Sequence, residues 1–194
     1  TYTKKLGDHS FSALAGFVAS RYVGESANSS IRGFSDNKIH SMNAGTVLNK
    51  PSEDYGASTN ASVLGRVTYD YQNKYLATVN FRADGSSKFG VNNRWGYFPS
   101  FSLGWRLTGE EFMKPLDWLS DLKLRVGWGQ VGNDQVGYYS SYGIYGIGAN
   151  YNMDGVILPG YYQSQIGNDK LRWERTTQTN VGLDFSFLNG RMTL

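Results

Sequence analysis

Apolar and polar residues alternate with a period of two over most of this chain, which is the spacing of β-strands. The clearest pair of strands is Ser62–Tyr71 and Tyr75–Asp84. In the first, Val63, Gly65, Val67, Tyr69 and Tyr71 share one face, and Leu64, Arg66, Thr68 and Asp70 the other. In the second, Tyr75, Ala77, Val79, Phe81 and Ala83 oppose Leu76, Thr78, Asn80, Arg82 and Asp84. Only Gln72-Asn73-Lys74 separates the two, so a tight hairpin is expected. Tyr69, Tyr71 and Tyr75 gather at its turn end, where an interfacial aromatic girdle would lie.

The alternation recurs along Tyr97–Thr108, Leu122–Gly129 and Thr177–Phe187, and more weakly through Phe11, Ala13, Ala15, Phe17 and Ala19. Tyr2–Lys5 and Arg191–Leu194 read as strand pieces. The one helical signal is Glu110-Glu111-Phe112-Met113-Lys114, stopped by Pro115. Connections alternate in length: short at 7–9, 72–74 and 188–190, compact at 109–119, moderate at 85–96, and long at 25–57 and 132–170. Outer-membrane barrels place short turns on the periplasmic side and long loops outside, and this parity fits them. Some of residues 137–149 would extend the barrel wall above the membrane.

The polar face carries Arg, Asp, Asn, Thr, Ser and Gly, and the apolar face is rich in aromatics. That composition suits a water-filled barrel whose outside meets lipid. Periodicity by itself leaves open a soluble β-sandwich, or a small non-transporting barrel, acting as a glycan-binding or adhesive module. The 24 Gly and 14 Tyr among 194 residues favour many strands and turns. The absence of Cys excludes a disulfide framework and thiolate metal sites. A net charge of +3, spread without a basic block, gives no reason to expect nucleic acid as a partner. No apolar run approaches a transmembrane helix, and none near the start resembles a signal peptide.

No catalytic constellation emerges, and neither an enzyme activity nor a cofactor is expected. His9 and His40 lack partners at metal-ligand spacing, and His9 is expected to cap a turn. No GxSxG elbow is present. Glu110-Glu111 fits helix N-terminal charge, and Asp84-Gly85-Ser86-Ser87 lacks the spacing of a calcium loop. Asn92-Asn93-Arg94 reads as loop architecture. The glycines of Gly127–Asn133 fit a curved strand with small residues facing inward, not a phosphate loop. The sharper candidate is the Tyr-rich stretch within 132–170. Tyr138, Tyr139, Tyr142, Tyr145, Tyr151, Tyr161 and Tyr162, set among Gly, Ser and Asn, would stack on sugar rings or grip a peptide. The alternative is that they pack against neighbouring loops or a lid.

The runs RADGSSKFGVNNRWGYFPSFSLGWRL and EEFMKPLDWLSDLKLRVGWGQVGN resemble the SusC/RagA family of TonB-linked outer-membrane proteins. GRVTYDYQNKYLATVNFR upstream and LRWERTTQTNVGLDFSFLNGRMTL near the end fit the same family. The likeness covers roughly residues 60–134 and 170–194; residues 25–57 and 135–169 would be variable outer loops. It implies an antiparallel transmembrane β-barrel of roughly 22 strands, of which this chain would supply about eight as an internal segment of one barrel domain. It further implies an N-terminal plug with a TonB box and further strands, all outside this chain. A SusD-like surface lipoprotein as lid, energy from TonB, and oligosaccharide or peptide cargo are implied as well.

Overall fold

The computed structural model describes residues 1–36, 38, 39, 41–116, 118–187 and the backbone of 192 and 193. The strands, in chain order, are β1 (Tyr2–Leu6), β2 (His9–Asn28), β3 (Ile31–Arg32), β4 (Val47–Leu48), β5 (Ser52–Tyr71), β6 (Tyr75–Ser86) and β7 (Trp95–Arg106). They continue with β8 (Leu119–Asn133), β9 (Ile144–Ile147), β10 (Tyr151–Met153), β11 (Val156–Leu158), β12 (Tyr161–Gln165), β13 (Glu174–Phe187) and β14 (Met192–Thr193). Eight of them form one antiparallel sheet in the order β1-β2-β5-β6-β7-β8-β13-β14, a meander without crossovers. The other six make three two-stranded ribbons within the connections. The expected turn at 188–190, together with His40, Arg191 and Leu194, lies outside the described residues.

The hairpin at Gln72-Asn73-Lys74 forms as its residues dictate. Gln72 and Asn73 take left-handed backbone (φ 52° and 54°), and the Asp70 carboxylate accepts the Asn73 N–H at 2.9 Å. From there β5 and β6 pair without a slip from Tyr71↔Tyr75 to Asn60↔Ser86.

Several expected boundaries move. β2 and β5 stay paired to Asn28↔Ser52, so the connection between them is 29–51 and not 25–57. At about 3.4 Å per residue these 20-residue strands run far beyond the roughly 9–11 residues that cross a bilayer. Past the apolar band a strand needs no continuous apolar face, so alternation fades although pairing continues. The last long connection spans 134–173 and holds β9–β12. Residues 144–147 pair with β12 in a separate ribbon and do not extend the main wall. The expected helical turn becomes two 3₁₀ turns, Leu107–Gly109 and Glu111–Met113, because Glu110 between them is extended. His9 opens β2 and caps no turn; its Nδ1 lies 2.8 Å from the Tyr69 hydroxyl.

Pairing sorts the side chains into two faces. On one, His9, Tyr71, Tyr75 and Trp105 stand abreast on four strands, with ring centroids 4.6, 6.2 and 6.5 Å apart. At the other end of the same face Phe17, Val63, Ala83 and Tyr97 form one row, and Ala19, Ala61, Gly85 and Trp95 the next. Between lie Val67, Val79, Phe101, Leu103 and Val181, all exposed. Tyr75 to Gly85 spans roughly 34 Å along β6 at 3.4 Å per residue. With a strand tilt near 40° that projects to about 26 Å, the height of a barrel's apolar band.

Among the described residues no second layer covers this face. The accessible surface is 14416 Å², against about 9,200 Å² for a compact protein of this mass. Among the described residues only Ala83, Phe89 and Phe98 are buried hydrophobics. A soluble sandwich would bury its apolar face beneath a second sheet; here there is one layer, and the sandwich expectation is set aside.

The compact connection 107–118 is tied to the lower aromatic row. Glu110 Oε1 accepts the Tyr75 hydroxyl at 2.6 Å and the Trp105 indole N–H at 3.1 Å, with Lys74 Nζ 3.6 Å from its other oxygen. The Tyr75 and Trp105 hydrogen bonds, then Lys74, hold the Glu110 carboxyl below its ordinary value of 4.5. A lowered folded value means that this stabilisation is present above the ordinary carboxylate range. It is lost as pH falls through the folded value. Acid titration followed by Trp105 fluorescence is therefore expected to show a transition below the ordinary range, and Glu110→Gln to remove it. An unchanged titration in the variant would refute the assignment.

Candidate functional site

The opposite face of the sheet is polar and internally paired. Arg82 Nε donates to both oxygens of Asp84 at 2.7 Å, two residues along β6, and Arg82 Nη2 donates to Ser62 Oγ of β5 at 3.3 Å. Arg66 Nε donates to Asn80 Oδ1 at 2.6 Å, and Asn80 Nδ2 to Ser100 Oγ at 3.1 Å, linking three strands. Arg125 Nη2 lies 2.6 Å from Asp184 Oδ1, joining β8 to β13. Two depressions lie along this face, of about 640 and 720 Å³. The first includes Lys123, Arg125 and Asn180, and the second Arg66, Asn80 and Arg82. Gly127 and Gly129 stand opposite Ser102 and Ser100, as the inward-facing glycines of the sequence reading require. A β-carbon at Gly129 would come within 2.8 Å of Ser100 Cβ.

Where this wall meets the long connections, a small core forms. Phe89 is fully buried and packs on Trp173 (5.2 Å between ring centroids), which in turn meets the edge of Phe98 at 5.5 Å. The Trp173 indole donates to the Arg94 carbonyl at 2.9 Å, and Asn93 Nδ2 to the Asp169 carbonyl at 2.9 Å. Ser86 Oγ donates to Asp134 at 3.1 Å, and Lys88 Nζ to the Asp134 carbonyl at 3.1 Å. These contacts fasten 87–94 to both ends of the 134–173 connection. Alternation does not mark the pairing of Phe89 with Trp173, because the two lie more than 70 positions apart.

The seven tyrosines do not converge. Tyr138 lies over Gly56, where a β-carbon would come within 2.5 Å of its ring, and runs parallel to Tyr22 at 6.4 Å. Lys88 Nζ sits 5.8 Å from the same ring. Burial, then the neighbouring Tyr22 hydroxyl, pushes the Tyr138 phenol up. Tyr139, left-handed at φ 61°, and Tyr142 form the base of the loop; Gln165 Nε2 donates to both carbonyls at 3.1 and 2.9 Å. On the β9–β12 ribbon Tyr145 and Tyr161 share one face with Ile147, each about 70 % exposed. Tyr162 takes the other face, its ring across Gly146. Tyr151 stands opposite Leu158 on the β10–β11 ribbon, whose tight turn uses Asp154 and Gly155, both left-handed. The structure thus groups Tyr145, Ile147 and Tyr161 as an exposed strip and turns Tyr138 into packing.

Among the described residues no group of His, Asp and Glu could hold a metal ion. Among the described residues no helix is long and apolar enough to cross a membrane, which says nothing about strands.

Residues 2–194 match the family model described as TonB dependent receptor-like, beta-barrel. TonB-dependent receptor P39 of Formosa agariphila is 37% identical over 196 aligned residues, covering all of this chain and 18% of that protein. TonB-dependent receptor SusC of Bacteroides thetaiotaomicron is 44% identical over 143 residues, 70% of this chain and 14% of SusC. Among solved structures, that of the RagAB peptide transporter superposes with a TM-score of 0.85 at 28% identity, over 99% of this chain and 21% of the matched one. The "closed-closed" and "open-open" states of that importer fit almost equally, at 0.84 and 0.83. The chain spans about a fifth of the length of the relatives it matches. It belongs to the TonB-dependent receptor-like β-barrel family of outer-membrane proteins and, within that family, to the SusC/RagA group.

Proposed function

We propose that this chain forms part of the wall of an outer-membrane importer for large nutrients, oligosaccharides or peptides. It would work with a SusD-like surface lipoprotein as lid and with TonB as the source of energy. The observation that carries this reading is the two-faced sheet. One face is an uncovered apolar band between two aromatic rows, suited to lipid. The other is a wall of paired charges and amides, suited to a wet lumen. Pairing matters there, because neutralised charges line a passage without trapping an ionic cargo as isolated ones would. In this reading the wall and loops perform no covalent chemistry.

The side of the sheet bearing the connections 29–51, 87–94 and 134–173 would face outside, and the ends joined by Gly7-Asp8 and Gln72–Lys74 the periplasm. Tyr145 and Tyr161 then project from the outer rim, placed to stack on cargo or lid; the other five tyrosines shape the loop that presents them. Two measurements test the reading. Protein extracted from outer membranes is expected to migrate faster unheated than boiled in a denaturing gel, and identical mobility would exclude a barrel. Tyr145→Ala with Tyr161→Ala is expected to weaken capture of the oligosaccharide or peptide pool that supports growth by roughly fivefold per ring, about 1 kcal/mol each. Unaltered capture would remove these two from the binding surface.

A further inference from the structure

Most cations on the polar face are matched to carboxylates. Arg82 pairs with Asp84, Arg106 with Asp121 and Arg125 with Asp184, and Lys123 stands directly opposite Asp184 in the β8–β13 ladder. Arg66 differs. Its Nε donates to the neutral amide oxygen of Asn80 at 2.6 Å, and its two terminal nitrogens meet no acceptor among the described residues. Followed across the sheet, its row runs Leu14, Arg66, Asn80, Ser100, Gly129 and Gln178, with no second charge. The nearest carboxylates on this face of β5 and β6 are Asp70 and Asp84. Each stands four residues from the Arg66↔Asn80 pair, in opposite directions, which is roughly 14 Å at 3.4 Å per residue. Arg82 lies between, but it is turned to Asp84 and Ser62.

The guanidinium is held in place. Asn80 Oδ1 takes Arg66 Nε, and Asn80 Nδ2 is itself anchored on Ser100 Oγ at 3.1 Å, a relay that runs from β7 through β6 to β5. The terminal edge of Arg66 is left for a partner from outside the sheet. That edge carries two parallel N–H donors, the geometry that matches a carboxylate. All three residues line the larger depression of this face, about 720 Å³. Its β2–β5 side is apolar: Leu14 and Val18 are 37% and 52% exposed, and Leu64 packs over Gly16. Apolar surroundings strengthen a charge-assisted hydrogen bond made beside them. On the other side Gly129, with no room for a side chain against Ser100, keeps the floor shallow.

We propose that this depression selects cargo bearing a carboxylate, a uronate sugar or an acidic peptide residue, with the carboxylate on the terminal edge of Arg66 and an apolar face of the cargo against Leu14 and Leu64. The inference rests on the importer reading under Proposed function and narrows its cargo to anionic members. The paired charges elsewhere on the wall let cargo pass; Arg66 gives it one hold, and a single charge-assisted contact is weak enough to release.

Calorimetric titration of the full-length protein, extracted from outer membranes, tests it with two matched pairs of probes. One pair is trigalacturonate and its methyl ester; the other is the blocked tripeptides Ala-Glu-Ala and Ala-Gln-Ala. The acid of at least one pair is expected to bind about tenfold more tightly than its neutral partner, and which pair shows the preference names the source of the carboxylate. Arg66→Gln is expected to erase the preference and leave neutral binding unchanged. Arg66→Lys is expected to keep part of it, since an ammonium retains the charge without the fork. Arg21→Gln, the same charge change on the other face of the sheet, is expected to have no effect. Equal binding of acid and neutral probes, no binding of either acid, or an undiminished preference in Arg66→Gln would overturn the proposal. So would a lower melting temperature in Arg66→Gln with binding intact, which would give the guanidinium to a carboxylate of the same polypeptide. Heat-modifiable mobility recorded on the same samples separates the two readings. If it is absent, the barrel itself fails; if it is present and the preference is missing, only the carboxylate site fails.

Discussion

Val79→Arg is expected to destabilise the folded protein in a bilayer by about 2–4 kcal/mol, the cost of a cation on a barrel's lipid face at the membrane midplane. Val79 lies on β6 between the lower aromatic row at Tyr75 and the upper row at Gly85 and Trp95, is 57% exposed, and is flanked by Val67 and Phe101. Were this face in water, an exposed valine could take a charge at a cost within roughly 0.5 kcal/mol. The adjacent Asn80 supplies the internal control. Its side chain is on the other face, bonded to Arg66 and Ser100, and Asn80→Ser is expected to cost only about 1 kcal/mol. Urea-dependent unfolding in lipid vesicles measures both. A Val79→Arg protein as stable as the unaltered one would mean that this face does not meet hydrocarbon.

Phe89→Ala is expected to cost about 3–5 kcal/mol, the range for emptying a buried aromatic site. The loss should be confined to the loop end of the sheet. Phe89 is fully buried, and its partner Trp173 is also in contact with Phe98 and with the Arg94 carbonyl. Backbone approach leaves no room to refill the space: β-carbons at Gly96 and Gly132 would fall 2.5 and 2.0 Å from the Phe98 ring. Removing Phe89 therefore frees Trp173 and loosens both ends of the 134–173 connection, while the ladder from Tyr71↔Tyr75 to Asn60↔Ser86 persists. Hydrogen exchange and limited proteolysis are the appropriate readouts, with faster exchange and new cleavage expected within 134–173. Phe112→Ala, at a side chain 63% exposed, is the control expected to change little. Undiminished protection in Phe89→Ala would show that the loop is held by other means.

Local rules carried the wall a long way. Alternation at Ser62–Asp84 determined which residues share a face, because a strand's side-chain period is fixed at two whatever its neighbours are. Gln72-Asn73-Lys74 determined the hairpin and hence its register, and Tyr71 and Tyr75 marked one edge of the apolar band. The polar face of Arg, Asp, Asn and Ser was legible as a lumen-like surface, and the family likeness sits in these same strands.

What only tertiary structure decided depends on pairing between distant segments. His9 and Trp105 join the aromatic row only when β2 and β7 are aligned across β5 and β6. The lengths of β2 and β5 escaped the pattern because backbone hydrogen bonds, indifferent to side chains, carry the ladder past the point where an apolar face is needed. Residues 144–147 became a separate ribbon because β12 offered a complementary edge. The tyrosines were legible as a group by composition. Yet Tyr138 fell to packing against Gly56 while Tyr145 and Tyr161 stayed open, a division set by which surfaces happened to face them. Period-two order is a property of each strand alone; a girdle or a loop core is a property of strands laid side by side.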